Sequence, residues 1–146
     1  MPVQRHDDSL HYLLKHAQMR LAELTGPALA PFGINGRQCA VLLAIAEQAP
    51  SSQHDISERM GVDRTTMVAL VDELEAKGLV ERRPDPRDRR KNVVALTEAG
   101  RTTLEEAARA VDGAERHFLG PLSDDEAAAF REALRTAALA RGLTAG

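Results

Sequence analysis

The sequence predicts a mainly α-helical fold with one small β-hairpin, and three observations support this prediction. Apolar residues recur at helical spacing through most of the 146-residue chain. Two short segments with strand character interrupt that pattern between Leu79 and Leu96, and the second of them is β-branched and apolar. Hydrophobic residues make up 43% and charged residues 28% of the chain, which is typical of a folded domain rather than a disordered one. We therefore treat residues 1–146 as a single domain.

Two amphipathic helices are predicted first. The earlier one has an apolar stripe formed by Leu10, Leu13, Leu14, Ala17, Leu21 and Leu24. The breaker pair Gly26-Pro27 is expected to end it. A largely buried second helix is predicted over residues 36–48, with Pro50 expected to end it.

Two further helices, joined by a tight glycine turn, are predicted next. Ser51 and Ser52 are capping residues for a short helix, and Gly61 suits the left-handed turn at its end. Asp63 caps a longer helix, which Gly78 closes. The buried face of the longer helix is predicted to consist of Met67, Leu70, Val71 and Leu74. This is a helix-turn-helix arrangement, which also occurs as a purely structural unit.

A β-hairpin with a basic tip follows. Residues 79–83 and 93–96 are the predicted strands, and residues 84–92 form a charged, turn-rich loop. Residues 81–91 include six basic and three acidic side chains, a net charge of +3, whereas the other 135 residues have a net charge of −6. Such local positive charge suits contact with a polyanion, the alternative being a solvated loop. A hairpin placed directly after a helix-turn-helix makes a winged helix-turn-helix.

Two helices complete the chain. Thr97 caps a long helix with an apolar stripe, the pair Gly120-Pro121 breaks it, and Ser123 with Glu126 forms a capping box for a last helix. The first helix and these two expose more apolar surface than one small domain covers, so we expect them to pair with a second copy. The predicted dimerisation helices span residues 8–34 and 98–141, and the DNA-binding lobe spans residues 35–97.

The wing segment, residues 85–100 (DPRDRRKNVVALTEAG), resembles the signature of MarR-type transcriptional regulators, in which an Asp-Arg tip leads through a strand to Leu-Thr-x-x-Gly. Residues 63–80 likewise resemble that family's recognition helix and its exit into the wing. The order of elements over residues 8–141 is compatible with the family. The resemblance implies a homodimer that binds a pseudo-palindromic operator on double-stranded DNA, usually as a repressor. Many relatives are released by a small aromatic or phenolic ligand, and some by thiol oxidation or metal.

The first turn of the recognition helix is predicted to contact DNA, because its side chains and free N–H groups both point outward. We expect Arg64 and Thr66 to contact base edges. Thr65, together with Ser52 and Gln53 at the start of the preceding helix, is expected to lie nearer phosphates. The alternative for the two threonines is a capping role alone.

The middle of the recognition helix departs from the family pattern. Val68 and Ala69 stand where relatives often carry Thr-Arg, and neither side chain offers a hydrogen bond to a base edge. Ala69 is still able to contact a thymine methyl group. We therefore expect more of the specificity to come from the wing or from DNA shape.

The wing supplies the remaining predicted DNA contacts. Arg89 is the candidate for the minor groove, and Arg87 and Lys91 are candidates for phosphates. By resemblance, Asp88 pairs with one of the wing arginines, with Arg90 favoured, and stiffens the loop. The alternative is a surface ion pair worth about 0–1 kcal/mol. The full predicted DNA-binding set is Ser52, Gln53, Arg64, Thr65, Thr66, Ala69, Arg87, Arg89, Arg90 and Lys91.

Four polar residues are candidates for an effector site. The resemblance implies that aromatic acids bind in a crevice between the dimerisation helices and the winged lobe. The residues expected to face it are Tyr12, His16, Arg20 and Arg37. An arginine beside a histidine or tyrosine suits a carboxylate and a phenol, although each residue has the alternative of a surface or interface role.

Several other functions are disfavoured. The five histidines show no tight metal-ligand spacing, and the single cysteine, Cys39, lies in the apolar second helix, where a buried and inert thiol is expected. No metal or cofactor is therefore predicted. Aromatic residues are only 3% of the chain, which disfavours a stacking platform for single strands. No apolar run approaches the roughly 20 residues of a membrane span, and we expect a cytoplasmic protein.

Two rival functions remain for comparison. An enzyme is not expected, because the sequence has no Gly-rich phosphate loop, nucleophile elbow or paired catalytic carboxylates. A winged-helix protein-interaction module that does not bind DNA is the second rival. That rival predicts a wing without basic residues, and this wing has six.

Overall fold

A computed structural model of the chain describes residues 5–48 and 51–140. Pro50 and residue 141, where the sequence predicts a helix end and the limit of the dimerisation region, lie outside those ranges. The helices and strands are α1 (Leu10–Leu29), α2 (Gly36–Glu47), α3 (Gln53–Met60), α4 (Arg64–Ala76), β1 (Val80–Pro84), β2 (Asn92–Leu96), α5 (Glu98–Leu119) and α6 (Asp124–Leu139). Short 3-10 turns precede α1 and follow it. The predicted mainly helical fold with an antiparallel hairpin is confirmed.

The end of α1 differs from the prediction. The Gly26-Pro27 pair was expected to end the helix, but α1 continues through it to Leu29. Proline lacks an N–H and so removes one helical hydrogen bond, but Gly26 has no Cβ to meet the proline ring. The Ala30 N–H donates to the Gly26 carbonyl, which continues the helical pattern beyond the proline. Leu29 is fully buried, and burial of a leucine stabilises by about 1.5–3 kcal/mol.

The predicted helix caps are present. Each capping side chain accepts a hydrogen bond from the N–H three residues later: Ser52 from Asp55, Asp63 from Thr66, Thr97 from Gly100, and Ser123 from Glu126. The turn glycines Gly61 and Gly78 have φ angles of 64° and 73°, the left-handed conformation expected of them. A further capping box, Asn35 with Gln38 at the start of α2, was not anticipated from the sequence.

Most of the core lies in the predicted winged lobe, with Leu29 of α1 and Ala107 of α5 packed against it, and the predicted dimerisation helices leave much of their apolar surface exposed. All four predicted core residues of α4 are buried. In contrast, α6 has no buried residue among those described, and Leu10, Leu13 and Leu14 of α1 are all exposed. Within the described ranges no single helix is long and apolar enough to cross a membrane. The helical segment Leu10–Phe32 and α2 pass that test only together, as a pair bent by 72°.

The start of α5 is docked on the turn that leaves α4. The Thr97 N–H donates to the Leu79 carbonyl over 3.0 Å, and the Thr97 hydroxyl donates to the Gly78 carbonyl over 2.6 Å. Gly100 lies against the same backbone, since a Cβ at this position would stand 1.9 Å from the Leu79 carbonyl oxygen. The Leu-Thr-x-x-Gly motif therefore joins a long helix of the predicted dimerisation region directly to the end of α4.

Candidate nucleic-acid interface

The first turn of α4 is exposed and rigidly capped. The Asp63 carboxylate accepts the Thr66 N–H at 2.7 Å and the Thr66 hydroxyl at 2.9 Å, and these hydrogen bonds lower the pKa of Asp63. The Thr66 hydroxyl proton is thus directed to Asp63, which leaves its oxygen only as an acceptor toward any ligand. Arg64 and Thr65 are exposed, as is Ala69 one turn later.

Three of the six basic side chains in the wing segment are neutralised within the protein. They pair as Arg82 with Asp72 and Glu75, Arg83 with Glu81, and Arg90 with Asp88. The side chains of Arg87, Arg89 and Lys91 are exposed and form no hydrogen bond or ion pair with any residue that the structure describes. The uncompensated positive charge of the wing is therefore concentrated at its tip.

Asp88 organises the wing tip. One carboxylate oxygen accepts the Arg90 backbone N–H at 3.2 Å and the Arg90 Nε at 3.1 Å, and the other accepts Nη2 at 3.3 Å. The pKa of Asp88 is lowered mainly by the side-chain hydrogen bond from Arg90 and then by the backbone one. The expected Asp88–Arg90 contact is thus present. Because the Arg90 side chain is 91% exposed, this ion pair adds little stability, and its main effect is on the shape of the turn.

A polar cleft brings predicted DNA-binding residues from three elements together. It has a volume of about 580 Å³ and lies between the N-terminal ends of α3 and α4 and the wing. Five members of the predicted set line it: Ser52, Gln53, Arg64, Arg87 and Lys91. Thr65, Thr66, Ala69, Arg89 and Arg90 do not line the cleft. Arg64, Arg87 and Lys91 give the cleft cations suited to a polyanion, although two carboxylates, Asp55 and Asp85, also line it.

Arg82 has a role that the sequence did not reveal. Its Nη2 lies 2.6 Å from Asp72 Oδ1, its Nη1 lies 2.9 Å from Glu75 Oε1, and its Nε donates to Gln53 Oε1 over 2.9 Å. It also lines the cleft. The available signal was the i, i+3 spacing of Asp72 and Glu75 on the polar face of α4, but only the fold shows that a strand arginine meets them. Since the Gln53 oxygen is engaged, only its amide NH₂ group is free to face DNA.

The four predicted effector residues do not form one enclosed site. Tyr12 and His16 stack with their ring centroids 4.0 Å apart. Arg20 instead donates to the Phe118 carbonyl over 2.6 Å and lies 4.9 Å over the Phe118 ring, so it compensates the negative end of α5. Arg37 is exposed in the first turn of α2 and makes no polar contact with the other three in the described ranges.

A separate apolar groove of about 550 Å³ runs between α1, α5 and α6. Leu14 and Leu21 of α1 line one side, and Phe130 and Leu134 of α6 line the other. None of the four predicted effector residues lines it. Leu14, one of the exposed leucines of α1, belongs to this lining.

The described residues contain no cluster of three or more histidine, cysteine or acidic side chains able to hold a metal ion. Cys39 is half-buried rather than buried, at the edge of the core. Burial raises the pKa of its thiol, which disfavours the reactive thiolate form.

Comparison with known proteins is consistent with this geometry. A family model described as MarR family matches residues 32–91. The transcriptional repressor NicR of Pseudomonas putida is 37% identical over 95 residues, which is 65% of this chain and only 60% of NicR. The transcriptional regulator HosA of Escherichia coli is 32% identical over 118 residues, covering 81% of this chain and 80% of HosA.

Two solved structures of a similar protein contain bound molecules. CouR from Rhodococcus jostii RHA1, bound to p-coumaroyl-CoA, is 33% identical with a TM-score of 0.84, covering 97% of this chain and 100% of that one. CouR bound to a 23-mer DNA duplex has a TM-score of 0.85 at 32% identity, covering 94% and 99% of the two chains. These similar proteins therefore include one that has been captured both with DNA and with a small-molecule ligand.

Proposed function

The chain belongs to the MarR family of transcriptional regulators, and we propose on this basis that it is a repressor that binds a pseudo-palindromic operator as a homodimer. The observation that carries the proposal is the polar cleft, where Arg64 of α4 and the unpaired Arg87 and Lys91 of the wing face the same space. Uncompensated cations on two adjoining elements suit simultaneous contact with a groove and its flanking phosphates.

In this proposal α4 is the recognition helix and enters the major groove. Arg64 donates to base edges, Ala69 contacts a thymine methyl group, and Thr66 takes part only as an acceptor. Ser52, Thr65 and the amide NH₂ of Gln53 contact phosphates.

The wing completes the protein–DNA contact in this proposal. Arg89 enters the minor groove, while Arg87, Arg90 and Lys91 contact the neighbouring backbone. Asp88 keeps the loop in shape through its hydrogen bonds with Arg90. Specificity then depends partly on the width of the minor groove, because α4 offers few polar groups to base edges.

The homodimer is supported by the exposed apolar surface of α1 and α6. Leu10 is 74% exposed and Leu139 is 69% exposed, and the groove between α1, α5 and α6 is lined mainly by apolar side chains. Isolated folded domains rarely leave such continuous apolar surface in water. A symmetric pair places its two recognition helices about 34 Å apart, in successive major grooves.

A small aromatic or phenolic acid is the proposed effector. Tyr12 and His16 offer a stacked aromatic pair with polar atoms, and Arg20 and Arg37 offer guanidinium groups. A ligand carboxylate that draws Arg20 away from the Phe118 carbonyl removes a contact between α1 and the end of α5. For release, the ligand must bind the free dimer more tightly than the DNA-bound dimer, for example through a different spacing of the recognition helices.

The test is fluorescence anisotropy of the purified protein with its own upstream DNA, over a salt series and with a panel of aromatic acids. We expect binding by one dimer per site, weakening steeply with salt because phosphate contacts release counterions. Release by one acid supports the effector proposal, and equal ligand affinity for the free and DNA-bound dimer refutes the release mechanism. Absence of specific binding, both here and in a genome-wide operator selection, favours the protein-interaction module instead.

A further inference from the structure

One arginine connects the wing to both helices of the helix-turn-helix. We propose that Arg82 is a positioning residue that sets the angle between the wing and α4, so that both reach one DNA site together. It acts through Asp72, Glu75 and Gln53 rather than through contact with DNA. This inference rests on the proposed function.

The geometry requires a guanidinium group. Three separate nitrogens of Arg82 reach three acceptors: Asp72 Oδ1 at 2.6 Å, Glu75 Oε1 at 2.9 Å and Gln53 Oε1 at 2.9 Å. Arginine presents these donors in a rigid planar fork, whereas lysine has a single nitrogen. The Arg82 side chain is only 24% exposed, in contrast to the exposed tip cations.

Both strands of the hairpin are anchored at the same position. Arg82 is paired with Val94 in the antiparallel register. On the outer side of β2, the Val94 N–H donates to the Ser51 carbonyl over 2.9 Å, just before α3. On the β1 side, the second Glu75 oxygen also accepts the Arg82 backbone N–H over 3.3 Å. An isolated two-stranded hairpin is marginally stable, so these anchors determine its direction.

A small change at the anchor becomes a larger displacement at the tip. Arg87 and Arg89 lie five and seven residues beyond Arg82. At about 3.3 Å per extended residue, five residues span at most roughly 16 Å, and a tilt of about 15° over that distance moves Arg87 by roughly 4 Å. That displacement exceeds the tolerance of a hydrogen bond to a phosphate.

The rival interpretation is that Arg82, which lines the cleft, binds a phosphate directly. The double variant Asp72→Asn/Glu75→Gln separates the two interpretations, because it removes two negative charges beside the proposed DNA surface. Electrostatics alone then predicts tighter DNA binding. A positioning role predicts weaker specific binding, since the arginine loses both charged partners.

The experiment measures anisotropy with specific and non-specific duplexes, together with hydroxyl-radical footprints, for the wild type, Arg82→Ala, Arg82→Lys and the double variant. We expect the ratio of specific to non-specific affinity to fall about tenfold in all three variants, comparable with one mismatched base pair. Protection of the DNA beside the wing is expected to disappear from the footprint. The phosphate contacts of α4 are expected to remain, and with them their share of the salt dependence of binding.

Two neighbours on β1 are matched controls. Arg83→Ala removes the same charge from the next residue, whose side chain pairs with Glu81 of its own strand. Glu81→Gln removes an acid without affecting the anchor to α4. Both are expected to retain wing protection. Thermal melts identify any variant that fails to fold. If Arg82→Ala fails to fold, the double variant still tests the proposal.

The outcomes distinguish this inference from the proposed function. The positioning inference is overturned if the double variant binds DNA more tightly and keeps the wing protection. It is also overturned if Arg82→Lys binds DNA with the affinity and salt slope of the wild type. Unchanged specificity in every variant of a protein that binds its operator overturns this inference alone. Failure of the wild type to bind any DNA specifically overturns both.

Discussion

Gly100→Ala is the substitution whose effect follows most directly from the structure. A Cβ at position 100 stands 1.9 Å from the Leu79 carbonyl oxygen and 2.9 Å from its carbon, whereas real Cβ contacts are essentially never below 3.0 Å. The obstacle is backbone and therefore has no rotamer through which to move away. The start of α5 must shift by more than 1 Å from the turn that follows α4.

The magnitude combines three contributions. Overpacking of this kind costs about 1–3 kcal/mol. Moving the Leu79 carbonyl also weakens its hydrogen bond from the Thr97 N–H, worth about 0.5–1.5 kcal/mol. The higher helix propensity of alanine offsets about 1 kcal/mol. We therefore expect a net loss of about 1–3 kcal/mol in the free energy of unfolding.

Gly113→Ala is the matched control in the same helix. Its Cβ meets only the end of the Arg116 side chain, at 3.9 Å, so we expect stabilisation of up to about 1 kcal/mol. Urea unfolding, at equal protomer concentration because dimer stability depends on it, measures both variants. The reasoning is refuted if Gly100→Ala is as stable as Gly113→Ala.

Three further predictions follow from the wing, the α4 cap and the apolar groove. Arg89→Ala is expected to weaken operator binding. The salt slope falls by about one if Arg89 contacts a phosphate, and the sequence preference relaxes if Arg89 reads a minor groove. Unchanged affinity contradicts the assignment of Arg89 to the DNA contact of the wing. Asp63→Ala is expected to lower the melting temperature. The pKa of Asp63 is lowered in the folded state, so the stabilisation by its carboxylate is present above the ordinary carboxyl pKa of about 3.9 and is lost as the pH falls below that value. The melting temperatures of wild type and variant should therefore converge in acid. A difference in melting temperature that does not change with pH contradicts this explanation. Leu134→Glu in the groove is expected to yield monomers in analytical ultracentrifugation, whereas Leu43→Glu, on a similarly exposed leucine of α2, is not; two unaffected variants place the dimer contact elsewhere.

The helices could be predicted because their signals are local. A cap such as Ser52 or Asp63 acts on an N–H three residues away, and the apolar period of α4 lies within one helix. The Gly26-Pro27 prediction was wrong because the deciding contact, the burial of Leu29, is not local. The strand boundaries differ from the prediction by one residue for a similar reason, since the register depends on the partner strand: β1 is shifted to 80–84, and β2 begins at Asn92 and not at Val93.

The candidate DNA surface was only partly predictable. The residue types and their order indicated that Arg64 and the wing tip face the same ligand, and the cleft contains residues from both. The effector residues were less tractable, because Arg20 turned out to contact the end of α5, 98 residues away in sequence. Neither its hydrogen bond nor its stacking on Phe118 has a signal in the neighbouring sequence.

The sequence by itself determined the order of the helices, the caps of α3, α4, α5 and α6, the basic hairpin and the family. Only the tertiary structure decided which wing cations are neutralised and which remain free. Arg82 and Arg89 are the same residue type seven positions apart, yet one is held by two carboxylates of α4 while the other is exposed at the tip. The physical reason is that charge compensation depends on distance through space, which chain order does not specify until the helices and hairpin have packed.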